Sequence, residues 1–219
     1  MAVQVAIPGM RRINNRVEAC CYAADVPVTG GATVDIPAMP AANATAILNA
    51  TSIASPATSA NPVAGFSPSI MGRYGRNVTV VASGTATSNV TVVGYDYLGQ
   101  AMKEQVTLTS GTPVVGKKAF ADIVRVDFAN TAGITINVGT GNLLGVPYKV
   151  LSTEIIGELA NDVKPTAGAL VAGVTTQTLT SGDPRGTYAP NTVPNGTTAY
   201  RFTCIVDRSN LHGSAHVIA

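Results

Sequence analysis

Only two histidines occur in the chain, and His212 and His216 stand four residues apart. That spacing places two imidazoles on one helix face, as zinc peptidases use it, but the glutamate of a His-Glu-x-x-His motif is missing and Gly213 disfavours a helix. With no further ligand cluster beside them, the two histidines read as part of a tail, and neither metal nor cofactor is expected. Gly139-Thr-Gly-Asn-Leu-Leu-Gly looks like a phosphate-cradling loop, yet its last glycine comes one position late and Pro147 interrupts the helix such a loop needs. It reads as a hairpin turn. The chain contains no Gly-x-Ser-x-Gly elbow and no Cys-x-x-Cys pair. Asp96, Asp122 and Asp183 lie among turn residues and read as caps that bind backbone amides. Catalysis without a motif would still draw on His or Cys, so the chain is expected not to be an enzyme.

The remaining polar candidates are cations. Arg11, Arg12 and Arg16 form one cluster and Lys117 and Lys118 another, in a chain with a net charge of only +2. A nucleic-acid binder carries a denser basic stripe, so no nucleic-acid partner is expected. These five residues are instead candidates for contact with an acidic rim on a protein partner. The three cysteines include the adjacent Cys20 and Cys21, an arrangement unlike the even, spaced pairs of a disulfide scaffold. Reduced, structural thiols are expected. Residues 1–10 lack the charged-then-apolar order of a signal segment, and no run approaches the ~20 apolar residues that span a bilayer. A soluble chain made in a cytosol, without membrane contact, is the expectation. The Asn-x-Thr triplets at Asn43, Asn49, Asn77, Asn89 and Asn195 then reflect composition and not glycosylation.

The elements that carry these residues are β-rich. Charged residues are 12% of the chain against a usual share of about 25%, while hydrophobic residues reach 46%. Thr, Ser, Asn and Gly therefore keep the surface wet, a composition suited to proteins packed against neighbours. Residues 1–71, with Pro27, Pro37, Pro40, Pro56, Pro62 and Pro68 spread along them, predict an extended arm or loop-rich subdomain, with one short helix over 41–50. Residues 72–151 predict the core of a β-sandwich. Asn77-Val-Thr-Val-Val recurs as Asn89-Val-Thr-Val-Val, twelve positions on. Joined by a loop, these runs read as antiparallel neighbours. A turn at Leu98-Gly99 and alternating runs from Gln105, Ile123 and Ile134 continue the pattern. Residues 152–219 complete the domain: 155–159 as helical turn or strand, 170–179 and 199–206 as strands, 181–191 as a long loop, and the end returning along the surface. The fold class expected is mainly β, an antiparallel sandwich or jelly-roll-like domain.

Gly75-Arg-Asn-Val-Thr-Val, Gly94-Tyr-Asp-Tyr-Leu-Gly-Gln-Ala-Met and Val115-Gly-Lys-Lys-Ala-Phe resemble segments of tailed-bacteriophage virion proteins encoded among head genes. Asp183-Pro-Arg-Gly-Thr-Tyr-Ala-Pro and Asp207-Arg-Ser-Asn-Leu-His-Gly are similar to the ends of such proteins. The resemblance runs from Gly75 onward and carries no catalytic residues. It implies a decoration or cement protein on the capsid exterior, with the major capsid protein and further copies of itself, as dimer or trimer, for partners. The change of texture near Gly72, with six prolines and few alternating runs before it and period-two strands after it, predicts that residues 1–71 dock the protein while the β domain folds without them, so that cutting at Gly72 leaves a soluble fragment. A receptor-binding head or tail fibre and a tail-tube subunit, which share similar compositions, are alternatives, as is, from another class, a carbohydrate-active or peptidoglycan-degrading enzyme.

Overall fold

The computed structural model describes residues 10–13, 16–19, 29–52, 59–84, 88–109, 111–128, 133–207 and 213–216. Cys20, Cys21 and His212 lie outside them. The described chain is mainly β, and its strand pairings are antiparallel in a β-sandwich arrangement. Strands β1 (Met10–Ile13) and β2 (Arg16–Ala19) form a hairpin of their own. β3 (Thr29–Ile36) joins β15 (Tyr200–Asp207) and β12 (Lys149–Ala160) in a three-stranded sheet ordered β12-β15-β3.

A second sheet runs β5 (Ser59–Ala60), β10 (Asp122–Phe128), β7 (Asn89–Tyr95), β8 (Ala101–Thr107). The third runs β13 (Ala169–Ala172), β14 (Gly186–Ala189), β11 (Thr135–Gly145), β6 (Arg76–Ala82), β9 (Val114–Val115), with β4 (Leu48–Ser52) also on β11.

Alternation builds two cores. Val78, Val80 and Ala82 of β6 meet Val90 and Val92 of β7, with Phe120, Val126 and Val138, in one. Val34 and Ile36 of β3 meet Phe202, Cys204 and Val206 of β15, with Leu144 and Tyr188, in the other. Each buried Val or Ile contributes about 1.5–3 kcal/mol to such a layer. Burial also pushes the Cys204 thiol up to about 11, so it is inert packing.

Several expectations need correction. The two Asn-Val-Thr-Val-Val runs are not neighbours in a sheet. β6 pairs β11 and β9, β7 pairs β8 and β10, and the repeats instead share a core. Their apolar residues fit both arrangements, since alternation states which face is buried and not which strand lies alongside.

Residues 139–145 are no hairpin turn: they continue β11, with residues 141–143 bulged opposite Asn77. The glycines are there for close approach, as a Cβ on Gly139 would stand 2.1 Å from the Asn43 carbonyl oxygen. Residues 44–47 turn and Leu48–Ser52 is a strand, where a helix over 41–50 was expected. Residues 155–159 belong to β12, the run from 170 ends at Ala172, and the loop over 181–191 contains β14.

Residues 29–52 and 59–71 are not a separate arm. β3 pairs β15 along its full length, and Ile47, Leu48 and Met71 are core residues beside Val78. Proline density hid short alternating runs such as Thr33-Val-Asp-Ile.

Candidate docking faces and buried charges

Asp96 opens the turn between β7 and β8. Its Oδ1 accepts the amides of Leu98 at 2.9 Å and Gln100 at 2.8 Å, the turn-capping role expected of it. Its Oδ2 faces inward and accepts from Arg185 Nη1 at 2.6 Å, with His216 Nε2 at 3.2 Å. Burial alone would raise this carboxyl. The hydrogen bonds from His216 and Arg185, with the Arg185 charge, outweigh burial and hold it below the usual carboxylate range. Arg185 lies 4.8 Å over the Tyr97 ring, and Tyr97 donates to the Pro147 carbonyl at 2.6 Å. Asp183 caps as expected too, accepting the amides of Arg185 and Ala119 at 2.9 and 3.0 Å. Asp122 accepts the neighbouring Ile123 amide at 2.8 Å.

The network ties three distant stretches together: the 96–100 turn, the start of β14 and the segment 213–216. Residues 213–216 are thereby tied into the fold, the His216 side chain being 1% exposed, while the run 208–212 expected on the surface lies outside the described residues. A histidine on a carboxylate is half of a general-base device. Here Nδ1 of His216 is buried without a partner and the carboxylate is shared with Arg185, so the arrangement holds loops.

Glu104 and Lys118 form a second buried group. The Glu104 oxygens accept the amides of Lys117 and of Lys118, at 2.5 and 3.3 Å. Burial nevertheless pushes its carboxyl up to about 7, against those amides and the Lys118 charge. Lys118 Nζ donates to the carbonyls of Lys103 at 3.1 Å and Thr178 at 2.8 Å, clasping the 173–182 loop to β8. Burial lowers its ammonium, with the charges of Glu104 and Asp183 opposing.

Of the five cations proposed for partner contact, Lys118 is thus a correction. It is fully buried, because its backbone turns inward to meet Glu104 while Lys117 stays exposed. Arg11 and Arg12 lie on β1 and Arg16 on β2, Arg11 opposite Glu18 and Arg16 opposite Ile13. Among the described residues no group of three or more His, Cys, Asp or Glu side chains is placed to hold a metal.

Two sheet faces are left outward. Inward Val90 and Val92 alternate on β7 with Thr91, Val93 and Tyr95, the last 42% exposed. Opposite these stand Gln105, Lys103 and Ala101 of β8, and Asp127, Arg125 and Asp122 of β10. Thr107 donates to Asn89 at 2.8 Å, and Arg125 pairs with Asp127 at 2.8 Å along the strand. This is a pleated face on which an uncharged row along β7 runs between charged side chains of β10 and Lys103 of β8.

The other outward face belongs to β12-β15-β3. Thr33 and Thr203 share a hydrogen bond of 3.1 Å at its middle, and Arg201 pairs with Asp35 at 2.6 Å. No protein-family model matches the chain, and no curated protein or solved structure matches it.

The Asp96–Arg185–His216 network escaped the sequence reading because its members lie 89 and 120 positions apart. The one signal was Asp183-Pro-Arg: two opposite charges at a turn, in a chain poor in charge.

Proposed function

We propose that the chain is a non-catalytic structural protein of a tailed-phage particle, seated on the outside of the assembled capsid and tying neighbouring major capsid proteins together. The observation that carries this reading is the outward face of the β5-β10-β7-β8 sheet, where an uncharged row of Thr91, Val93 and Tyr95 on β7 runs between Gln105, Lys103 and Ala101 of β8 and Asp127, Arg125 and Asp122 of β10. Such a face offers a partner an uncharged row to cover, while Lys103 on one side of it and Arg125 on the other set orientation. The groups with chemical capability support the same reading. Asp96, Asp183, Glu104, Lys118 and Arg185 are all engaged inside the fold. A clip that binds the expanded shell and not its precursor stabilises the shell by mass action, and a lattice of copies adds avidity.

Co-sedimentation with DNA-free expanded heads of the virus that encodes the chain tests this. The wild type is expected to pellet saturably with the shells. Thr91→Arg and Tyr95→Ala are each expected to weaken binding roughly tenfold without changing the melt. Shells that leave the wild type in the supernatant would refute the proposal, as would a particle reconstruction placing the chain in the tail.

A further inference from the structure

Gly157 sits inside β12, opposite Thr203 and next to a register irregularity between Ile155 and Gly157, and its φ is not positive. A Cβ built on it would meet nothing within 4 Å. Packing inside the chain does not ask for glycine there, and a residue with a side chain can also take a non-positive φ beside a bulge. A glycine in a strand costs about 0.5–1 kcal/mol relative to alanine, and it marks places where another backbone approaches. Its bare backbone helps line a trough of about 340 Å³ together with Ile156, Glu158, Leu159, Thr203, Lys164 and Arg201.

The turn beside this trough is unusually prominent. Asn161 and Asp162 both adopt left-handed φ, 49° and 62°, and close a two-residue turn in which Ala160 and Val163 exchange backbone hydrogen bonds of 2.8 and 3.0 Å. Val163, 68% exposed, and Ile156, 59% exposed, are the two most exposed large hydrophobic residues among those described. On either side of Val163 stand an anion and a cation. Asp162 is 86% exposed and reaches Arg201 only at 3.5 Å, while Arg201 is taken by Asp35 at 2.6 Å. Lys164 makes no ion pair among the described residues.

We propose that this patch recognises itself: two copies of the chain pair about a two-fold axis, each laying its 161–164 turn against the other's trough. A foreign partner of one charge would be met by one sign, whereas a patch with a free cation and an exposed anion flanking an apolar centre complements its own rotated copy. In the dimer Lys164 faces Asp162 of the second copy, and Val163 lies over the bare backbone at Gly157. The face belongs to a different sheet from the proposed shell contact, so this inference stands or falls independently of it.

Analytical ultracentrifugation of the full chain tests the pairing. A dimer is expected at about 100 µM, a range in which weak specific pairs associate. Gly157→Val puts a strand-favouring side chain into the trough at a position where a Cβ meets nothing within 4 Å. It is expected to weaken dimerisation roughly tenfold or more while the melting midpoint holds or rises. Asp162→Lys and Lys164→Glu should each weaken it, and the double reversal should restore it. A wild type that stays monomeric at this concentration overturns the proposal. So does a dimer indifferent to Gly157→Val, or a monomer whose trough instead captures a synthetic valine–threonine peptide bearing one aspartate.

Discussion

Glu104 accepts two backbone amides, yet it lies where loss of water dominates, and folding favours its acid form. The stability that Glu104 contributes is complete below pH 4.5 and disappears as pH climbs through about 7. The shift corresponds to about 3 kcal/mol. The melting temperature should therefore fall between pH 5 and pH 8, and Glu104→Gln should flatten that slope; equal slopes would show that Glu104 does not carry it. Asp96 behaves oppositely, its carboxylate held charged by His216 and Arg185 despite burial, so its contribution survives until pH drops below 3.8. Arg185→Met leaves that carboxylate buried beside His216 alone. A loss of about 3–5 kcal/mol in denaturant unfolding is expected, the cost of breaking a buried pair by removing one partner. At this scale the sequence was half legible. The turn-capping roles of Asp96 and Asp183 follow from their neighbours, but the second oxygen of each reaches groups that only the tertiary fold brings near.

Among the elements, β10 and β15 and the end of β8 were readable because residues 125–128, 200–204 and 105–107 alternate apolar and polar residues. What alternation could not supply was partnership. The repeated Asn-Val-Thr-Val-Val runs look like one hairpin, and the chain between them instead crosses from one sheet to the other. β4 and β14 were missed because they are four or five residues long and sit among prolines and glycines. Gly94 and Gly157 look identical in sequence, each inside a strand, but their surroundings differ. A Cβ on Gly94 would stand 2.0 Å from the Asp122 carbonyl oxygen, a backbone atom that cannot step aside. Gly94→Ala should therefore cost roughly 3 kcal/mol by overpacking, whereas Gly157→Ala should be neutral or stabilising in the same melts.

At the scale of the molecule, the two cores share the sheet built on β11, and Arg76 ties them together. Its guanidinium donates to the carbonyls of Gly141 at 2.7 Å, Pro40 at 2.9 Å and Ile70 at 3.4 Å, next to Met39 of one core and Met71 of the other. Burial pulls it down to about 10, which leaves it charged throughout the working range. A fragment starting at Gly72 lacks β3, β4 and the core residues Ile47, Leu48 and Met71. It should aggregate or melt without cooperativity, where the full chain shows one transition by circular dichroism; a soluble, cooperative fragment would mean the shared cores are dispensable. The pairing of β3 with β15 also decides how the molecule bears a pull. Thr29 stands opposite Asp207 at one end of that ladder, and Ile36 opposite Tyr200 at the other. Tension between positions 29 and 207 therefore opens the sheet rung by rung, like a zip, and never loads all its hydrogen bonds in shear. A clamp made from this sandwich has to take its load through the broad faces of its strands, because a tug at that corner peels it apart.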